Sequence, residues 1–329
     1  MDRFYNQEDA KETIESLIAE RIAKDKLHLS RVMKDNGRIN AASIRRDEDA
    51  GVWRIVRQNA NDESTKETVF TITGAIFAMD LPPVMKETRS TRMLKEKARF
   101  LSQSVPLIGL GSKRFDEAVS AIKEIQVMGE CEFRDGELEE WKPVTVKGYE
   151  MVELTNRYFR PKTSANEEEE IPIGADIDPA GVLRRIAQRK WIHMEDNVVR
   201  YYRGMIDDEG KKRYVTVKPQ IFPVGNVVEA QCSMVFMRNN EGTARMKTIL
   251  RALALVNCDH SSEERTNQIH PQKANADRRN AENMPAPAAT RIKRKIGFEE
   301  DDDEDDYAAT KKVNRVIDRD GDHGMANGM

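Results

Sequence analysis

The stretch FPVGNVVEAQCSMVFMRNNEGTARMKTILRALALVN, residues 222–257, decides the fold. In it Val228, Ala230, Cys232, Met234 and Phe236 alternate with Val227, Glu229, Gln231, Ser233 and Val235. A period of two places the first set on one face of a pleated strand. RNNEGTAR, residues 238–245, then interrupts the run with turn-forming residues before a second apolar segment. The pattern predicts a β-hairpin launched by a turn at Pro223 to Asn226. Its Val228 to Phe236 face is apolar enough for a core, which makes Cys232 a packed thiol and the hairpin scaffold.

Working backwards, residues 197–219 predict a preceding hairpin turning at Asp207 to Gly210. Residues 178–191, DPAGVLRRIAQRKW, predict a helix with Asp178 as N-cap and Pro179 at its first position. One helix and about four strands in order between 176 and 258 suit a short antiparallel meander that curls into a small barrel.

The N-terminal half is mixed. Residues 8–28 predict an amphipathic helix with Ile14, Leu17, Ile18 and Ile22 as its stripe, which either docks on the body or meets a partner protein. Residues 29–50 predict a loop or weak helix. Strands are expected at 51–58 and 67–83, the second stopped by Pro82 and Pro83. A basic helix is expected over 86–103, with Lys86, Arg89, Arg92, Lys95, Lys97 and Arg99. Another is expected over 112–128, capped by Ser112, with Phe115, Val119, Ile122 and Ile125 on its apolar face. Residues 130–160 predict further strands.

Of the 329 residues, 34% are charged and 39% hydrophobic, which fits a modest core with disordered segments. Net charge is −3. Three cysteines without a CxxC pair, and five scattered histidines, give no disulfide framework and no metal site. No apolar run approaches membrane-spanning length, so the expectation is a soluble intracellular chain with no membrane contact. DRDGDHG, 318–324, has aspartates at calcium-loop spacing, but His323 occupies the sharp-turn position and Met329 the place of the bidentate glutamate. GLGSKR, 109–114, lacks the spacing of a phosphate-binding Walker loop. No nucleophile–base signature is present, so the reading is non-enzymatic and calls for no cofactor.

One pattern points to a ligand. RYFR at 157–160, RYYR at 200–203 and KKRY at 211–214 interleave aromatic and basic side chains. Between 176 and 258 there are 14 Lys and Arg against 9 Asp and Glu, a local excess of five positive charges. Single-stranded nucleic acid is held by that combination, with bases stacked on rings and phosphates paired with cations. Arg200, Tyr201, Tyr202, Arg203, Lys211, Lys212, Arg213 and Tyr214 are the candidate contacts. Period-two geometry sends Tyr201 and Tyr202 to opposite faces, so one of them belongs to the core. In the tail, Arg291, Lys293, Arg294 and Lys295, with Lys311 and Lys312 further on, match the two basic clusters that an importin reads for nuclear import. The acidic block between them could instead fold back on a basic surface and compete with a polyanion.

The DP-GVL helix entry, the HMEDNVVRY segment, the F-VGNVVEAQ strand entry, the LRALALV closing strand and the basic-then-acidic tail together resemble a large protein family of mushroom-forming basidiomycetes (agaricomycetes). His193, Glu195, Asp196, Asn197, Val199 and Tyr201 carry one element of the likeness. Phe222, Gly225, Val228, Glu229 and Gln231 carry another, with Asn226 where aspartate is usual. The likeness spans about residues 178–312 and implies no activity; copies in repeat-rich genomic regions imply a link to mobile elements.

The resulting expectation is an α+β protein. A helical arm and loop (1–50), a mixed strand and helix region (51–160) and an acidic linker (161–175) precede an OB- or SH3-like antiparallel β-domain (176–258) and a disordered charged tail (259–329). The functional expectation is a non-enzymatic nuclear nucleic-acid-binding protein. The alternatives are a protein-interaction module acting through the N-terminal helix, and a mobile-element protein.

Overall fold

The computed structural model describes residues 1, 5–32, 42–48, 50–58, 65–85, 95–163, 166, 169–187, 190–206, 212–239, 241–260, 293–294 and 296–298. Its helices are α1 (Gln7–Lys24), α2 (Leu29–Val32), α3 (Lys113–Glu130) and α4 (Val182–Ala187). The strands are β1 (Ala42–Asp47), β2 (Val52–Gln58), β3 (Thr65–Glu67), β4 (Phe70–Ile76), β5 (Ser102–Ile108), β6 (Leu138–Glu139), β7 (Val144–Val146), β8 (Tyr149–Arg157), β9 (Arg160–Pro161), β10 (Trp191–Ile192), β11 (Arg200–Ile206), β12 (Lys212–Thr216), β13 (Val227–Arg238), β14 (Ala244–Asn257) and β15 (Lys293–Arg294). The molecule is an α+β protein dominated by one large mixed sheet of 13 strands.

The opening stretch forms β13 and β14, an antiparallel hairpin joined by a turn in which Asn239 accepts and donates backbone bonds. Gly225 sits at φ 90 in the launching turn, a conformation glycine adopts without a Cβ penalty, and its N–H donates to the Ile76 carbonyl. Both strands are long enough to change partners midway. The first half of β13 pairs with β4 and the second with β2, on either side of a register shift between Gln231 and Cys232. The extra residue there is Arg251, a bulge in β14 opposite the point where β13 passes from one partner toward the other.

Five strands close on themselves. β4 pairs antiparallel with β5, β5 with β8, β8 parallel with β14, β14 antiparallel with β13, and β13 antiparallel with β4. Inside lie Phe70, Ile72, Val105, Leu107, Val152, Leu154, Val228, Ala230, Cys232, Met234, Phe236 and Leu250. The expected apolar face of β13 is thus core, and burial pushes the Cys232 thiol up to about 12. Helix α3 closes the ring with Phe115, Val119, Ile122 and Ile125, and its Ser112 cap accepts the Phe115 N–H as expected. Gly129 is required in α3 because a Cβ there would lie 2.2 Å from the Phe236 ring.

Two expectations are corrected. The strands of 176–258 do not close among themselves; β13 and β14 complete a ring with three strands from the N-terminal half, because their long edges bond β4 and β8. The basic helix expected over 86–103 does not extend to its predicted end. Residues 86–94 lie outside the described residues, Lys95–Phe100 is a 3-10 turn, and β5 begins at Ser102. Pro106 and the polar Ser102, Gln103 and Ser104 hide that strand from a propensity reading, yet Val105 and Leu107 point inward from it.

The α1 stripe docks on the body. Ile14 and Ile18 are fully buried against Ala75, Ile108, Leu110 and Val227, with Leu17 and Ile22 partly covered. That burial removes the partner-protein surface expected of this stripe. Among the described residues no helix is long and apolar enough to cross a membrane.

Candidate nucleic-acid interface

Alternation along β8 builds the site. Val152, Leu154 and Asn156 face inward, so Met151, Glu153, Thr155 and Arg157 face out. On the parallel neighbour β14, Arg245, Lys247 and Ile249 face the same side. Along β8 and β14, with Ser102 at the start of β5, runs a groove of about 690 Å³ whose lining includes Phe100, Trp141, Glu153, Arg157, Asp196 and Lys247. Phe100 is 50% exposed and carries the Arg99 guanidinium 4.7 Å over its ring.

The groove's cations stand against one another. Burial lowers the Arg157 pKa, and Arg245, Arg99 and Arg160 lower it further. Burial likewise brings Lys247 down to about 8, with Arg157 and Arg245 adding to the shift and Glu153 opposing it. Among the described residues, Arg157, Arg245 and Lys247 take part in no ion pair. Half-buried Arg157 and Lys247 beside the exposed Phe100 ring can attract an anion and offer it a stacking face.

One end of the groove is a buried charge cluster. Arg54 donates to Asp47 at 2.8 Å, Glu67 at 2.8 Å and Asp196 at 2.6 Å. Arg251, 1% exposed, donates to Glu67 at 3.0 Å and to the Asp196 carbonyl at 2.9 Å. Arg160 reaches Asp196 at 2.5 Å. Burial works against the charges of Arg54, Glu67, Asp196 and Arg251. Arg251, Arg54, Arg294 and Arg160 nonetheless hold the Asp196 carboxyl well below the usual carboxylate range.

The sequence-predicted contacts fall into two sets. Tyr201 is core, 4% exposed, with its hydroxyl donating to Gln103 Oε1 at 2.6 Å and its ring 5.7 Å from Phe222. Tyr202 and Tyr214 share the other face of the β11–β12 hairpin, and Tyr214 donates to Glu229 at 2.5 Å. Arg200 pairs with Glu195 at 3.2 Å, and Arg203 and Arg213 are exposed. Lys212 lies in β12, while Lys211 is outside the described residues. Of the predicted import signal, Lys293 and Arg294 form β15 beside β3, and Arg294 joins the charge cluster through Glu67 and Asp196. Arg291, Lys295, Lys311 and Lys312 lie outside the described residues, as does the stretch 318–324.

Of the three like patterns, the one that lines the open groove is RYFR, which the candidate contacts did not include. RYFR supplies Arg157 and Arg160, and Arg245 with Lys247 shows the two-residue spacing of one strand face. Trp141 and Phe100 carry no local signal, since each reaches the groove from a segment outside the strands.

No protein-family model matches the chain, and no curated protein is similar to it in sequence. Among solved structures, the single-stranded DNA binding protein gp2.5 encoded by bacteriophage T7 is similar over 64% of this chain and 99% of that chain, at 11% identity and a TM-score of 0.28.

Proposed function

We propose that this protein is a non-enzymatic binder of single-stranded nucleic acid built on an OB-type barrel, with the strand lying in the β5–β8–β14 groove. The observation that carries this reading is the pair of groove cations without ion pairs among the described residues, Arg157 and Lys247, beside Phe100 and Trp141. The order of the ring supports it. Numbered along the chain, the five ring strands pair as 1-2-3-5-4-1, the order of an OB barrel. OB barrels hold oligonucleotides on the face of strands 2 and 3, which here are β5 and β8. Sequence-tolerant binding follows, because rings stack on any base and phosphates meet cations irrespective of sequence.

A fluorescence-anisotropy titration of the full chain with a labelled oligothymidine, at low and at physiological salt, tests the reading. The expected result is low-salt binding that weakens steeply as salt rises, since each neutralised phosphate releases counterions. No binding at low salt overturns it. Nuclear residence is part of the proposal and rests on the basic runs at 291–295 and 311–312. Alanine replacement of the first run should then leave a tagged protein outside the nucleus.

A further inference from the structure

A second cavity, of about 380 Å³, shares only Asn197 with the groove. Its volume falls in the ~300–1,000 Å³ range of small-molecule pockets. Gln103, Tyr158, Gly174, Asp176, His193 and Tyr201 line it, with Ile177 and Val199 among its apolar walls. Gln103 precedes Val105 and Leu107 on the inward face of β5, and period two along β11 turns Tyr201 the same way.

Some of the polar groups are fixed by one another. The Tyr201 hydroxyl donates to Gln103 Oε1 at 2.6 Å, and Gln103 Nε2 donates to the Asn197 carbonyl at 3.3 Å. His193 Nδ1 lies 2.8 Å from the Tyr158 carbonyl, which can only accept, so Nδ1 carries the proton. Burial lowers the His193 pKa against that bond and the pull of Glu195, so the ring is neutral and Nε2 keeps a lone pair.

Two polar tips are left over. His193 Nε2 and the Tyr158 hydroxyl have no hydrogen-bond partner among the described residues, although their side chains belong to residues only 9% and 4% exposed. Burial, with Asp80 and Asp178 adding to it, keeps the Tyr158 phenol protonated. Polar groups so far from water are rarely left without a partner, and a ligand in the cavity would supply one. The exposed Asp176 adds a carboxylate to the same lining. A Cβ at Gly174 would lie 2.4 Å from Asp176 Oδ1, so glycine there leaves the carboxylate its room.

The cavity thus presents one hydroxyl donor, one imidazole acceptor and one carboxylate between apolar walls. We propose that it binds a guanine base, whose edge carries a carbonyl followed by two N–H donors. Tyr158 donates to the carbonyl, and His193 Nε2 and Asp176 accept from the N–H groups. Adenine lacks the carbonyl, cytosine lacks a ring N–H, and thymine has a single N–H. The proposal does not depend on the nucleic-acid reading of the groove, since none of these three side chains lines the groove.

Calorimetric titration of the full chain with guanosine, and with adenosine, cytidine and thymidine beside it, tests the pocket. Guanosine should bind, and the other three about tenfold or more weakly, because each leaves a polar group of the site unpaired. Tyr158→Phe deletes only an unpartnered hydroxyl, so thermal unfolding should not move while guanosine affinity falls about tenfold. Asp176→Asn, at an exposed position, should lower it by about tenfold as well. Absence of binding at millimolar guanosine, equal binding of all four nucleosides, or unchanged affinity in both variants overturns the proposal. A second arm finds the source of the base, comparing oligothymidine with the same strand carrying one guanine. Tighter binding of the guanine strand, lost in Tyr158→Phe, shows a base of a bound strand in the pocket; equal strand affinities with guanosine still bound show a free nucleoside. Guanosine binding in a protein that ignores oligothymidine at low salt leaves the pocket standing and removes the groove reading.

Discussion

The β5–β8–β14 groove and the β11–β12 hairpin pair arginines with aromatic rings in nearly the same sequence idiom, RYFR against RYYR, yet the fold treats them differently. In the groove, Arg157 and Lys247 stand without ion pairs among the described residues, and Phe100 is half exposed. On the hairpin, Tyr201 turns into the core, while Tyr202 and Tyr214 lie under Phe298. The difference is one of neighbours rather than composition. A basic-aromatic run becomes a binding face only where nothing of the same chain already satisfies it.

That contrast can be broken at the cluster both regions share. Asp196→Ala removes the carboxylate on which Arg54, Arg160, Arg251 and Arg294 converge. Leaving buried guanidiniums uncompensated costs about 3–5 kcal/mol, so urea denaturation should show a loss of that size. Arg203→Ala on the exposed hairpin should stay within about 0.5 kcal/mol of the unaltered chain.

Affinity should separate the two faces next. Reversing Arg157 and Lys247 to glutamate should weaken oligothymidine binding by about 100-fold or more at low salt and flatten its salt dependence. The same reversal at Arg203 and Arg213 should cost about threefold, because neither lines the groove. Trp141→Ala and Phe100→Ala should each weaken binding about tenfold, with little change in salt slope, since stacking rather than charge is lost.

The smallest effect is in pH. Lys247 titrates at about 8 in the free protein, and a bound phosphate favours its ammonium form, raising that value. The free protein therefore loses the proton before the complex does. Affinity should fall a few-fold as pH rises from about 7 to 9, and Lys247→Arg should abolish the fall.

Much of the local architecture is legible in the chain. The alternation from Val228 to Phe236, the Ser112 cap of α3 and the Ile14 and Ile18 stripe all report which face is buried, and each is buried as read. What the stripe cannot report is against what, and it meets the ring rather than another protein. Ring closure is equally silent, because the pairing of β14 with β8 joins Ile249 to Thr155 across the chain's two halves. β5 escaped because Pro106 argues against a strand, although Val105 and Leu107 on either side are core. The groove is the product of these distant pairings, so its cations from two strands and its rings from two connecting segments have no common signature in sequence. The tail was read as disordered, yet 293–294 and 296–298 are docked by an arginine and a phenylalanine whose partners lie on β3, β11, β12 and β14 and at Val69 and Asp196 outside the strands.

Photocrosslinking tests the central claim most directly. An oligonucleotide carrying 5-iodouracil, bound to the full chain at low salt and irradiated, should join to the peptides containing Phe100 and Trp141. Tyr202 and Tyr214, packed against Phe298, should give few crosslinks. Crosslinks confined to the hairpin in the unaltered protein, with none at Phe100 or Trp141, would contradict the assignment of the groove as the nucleic-acid face.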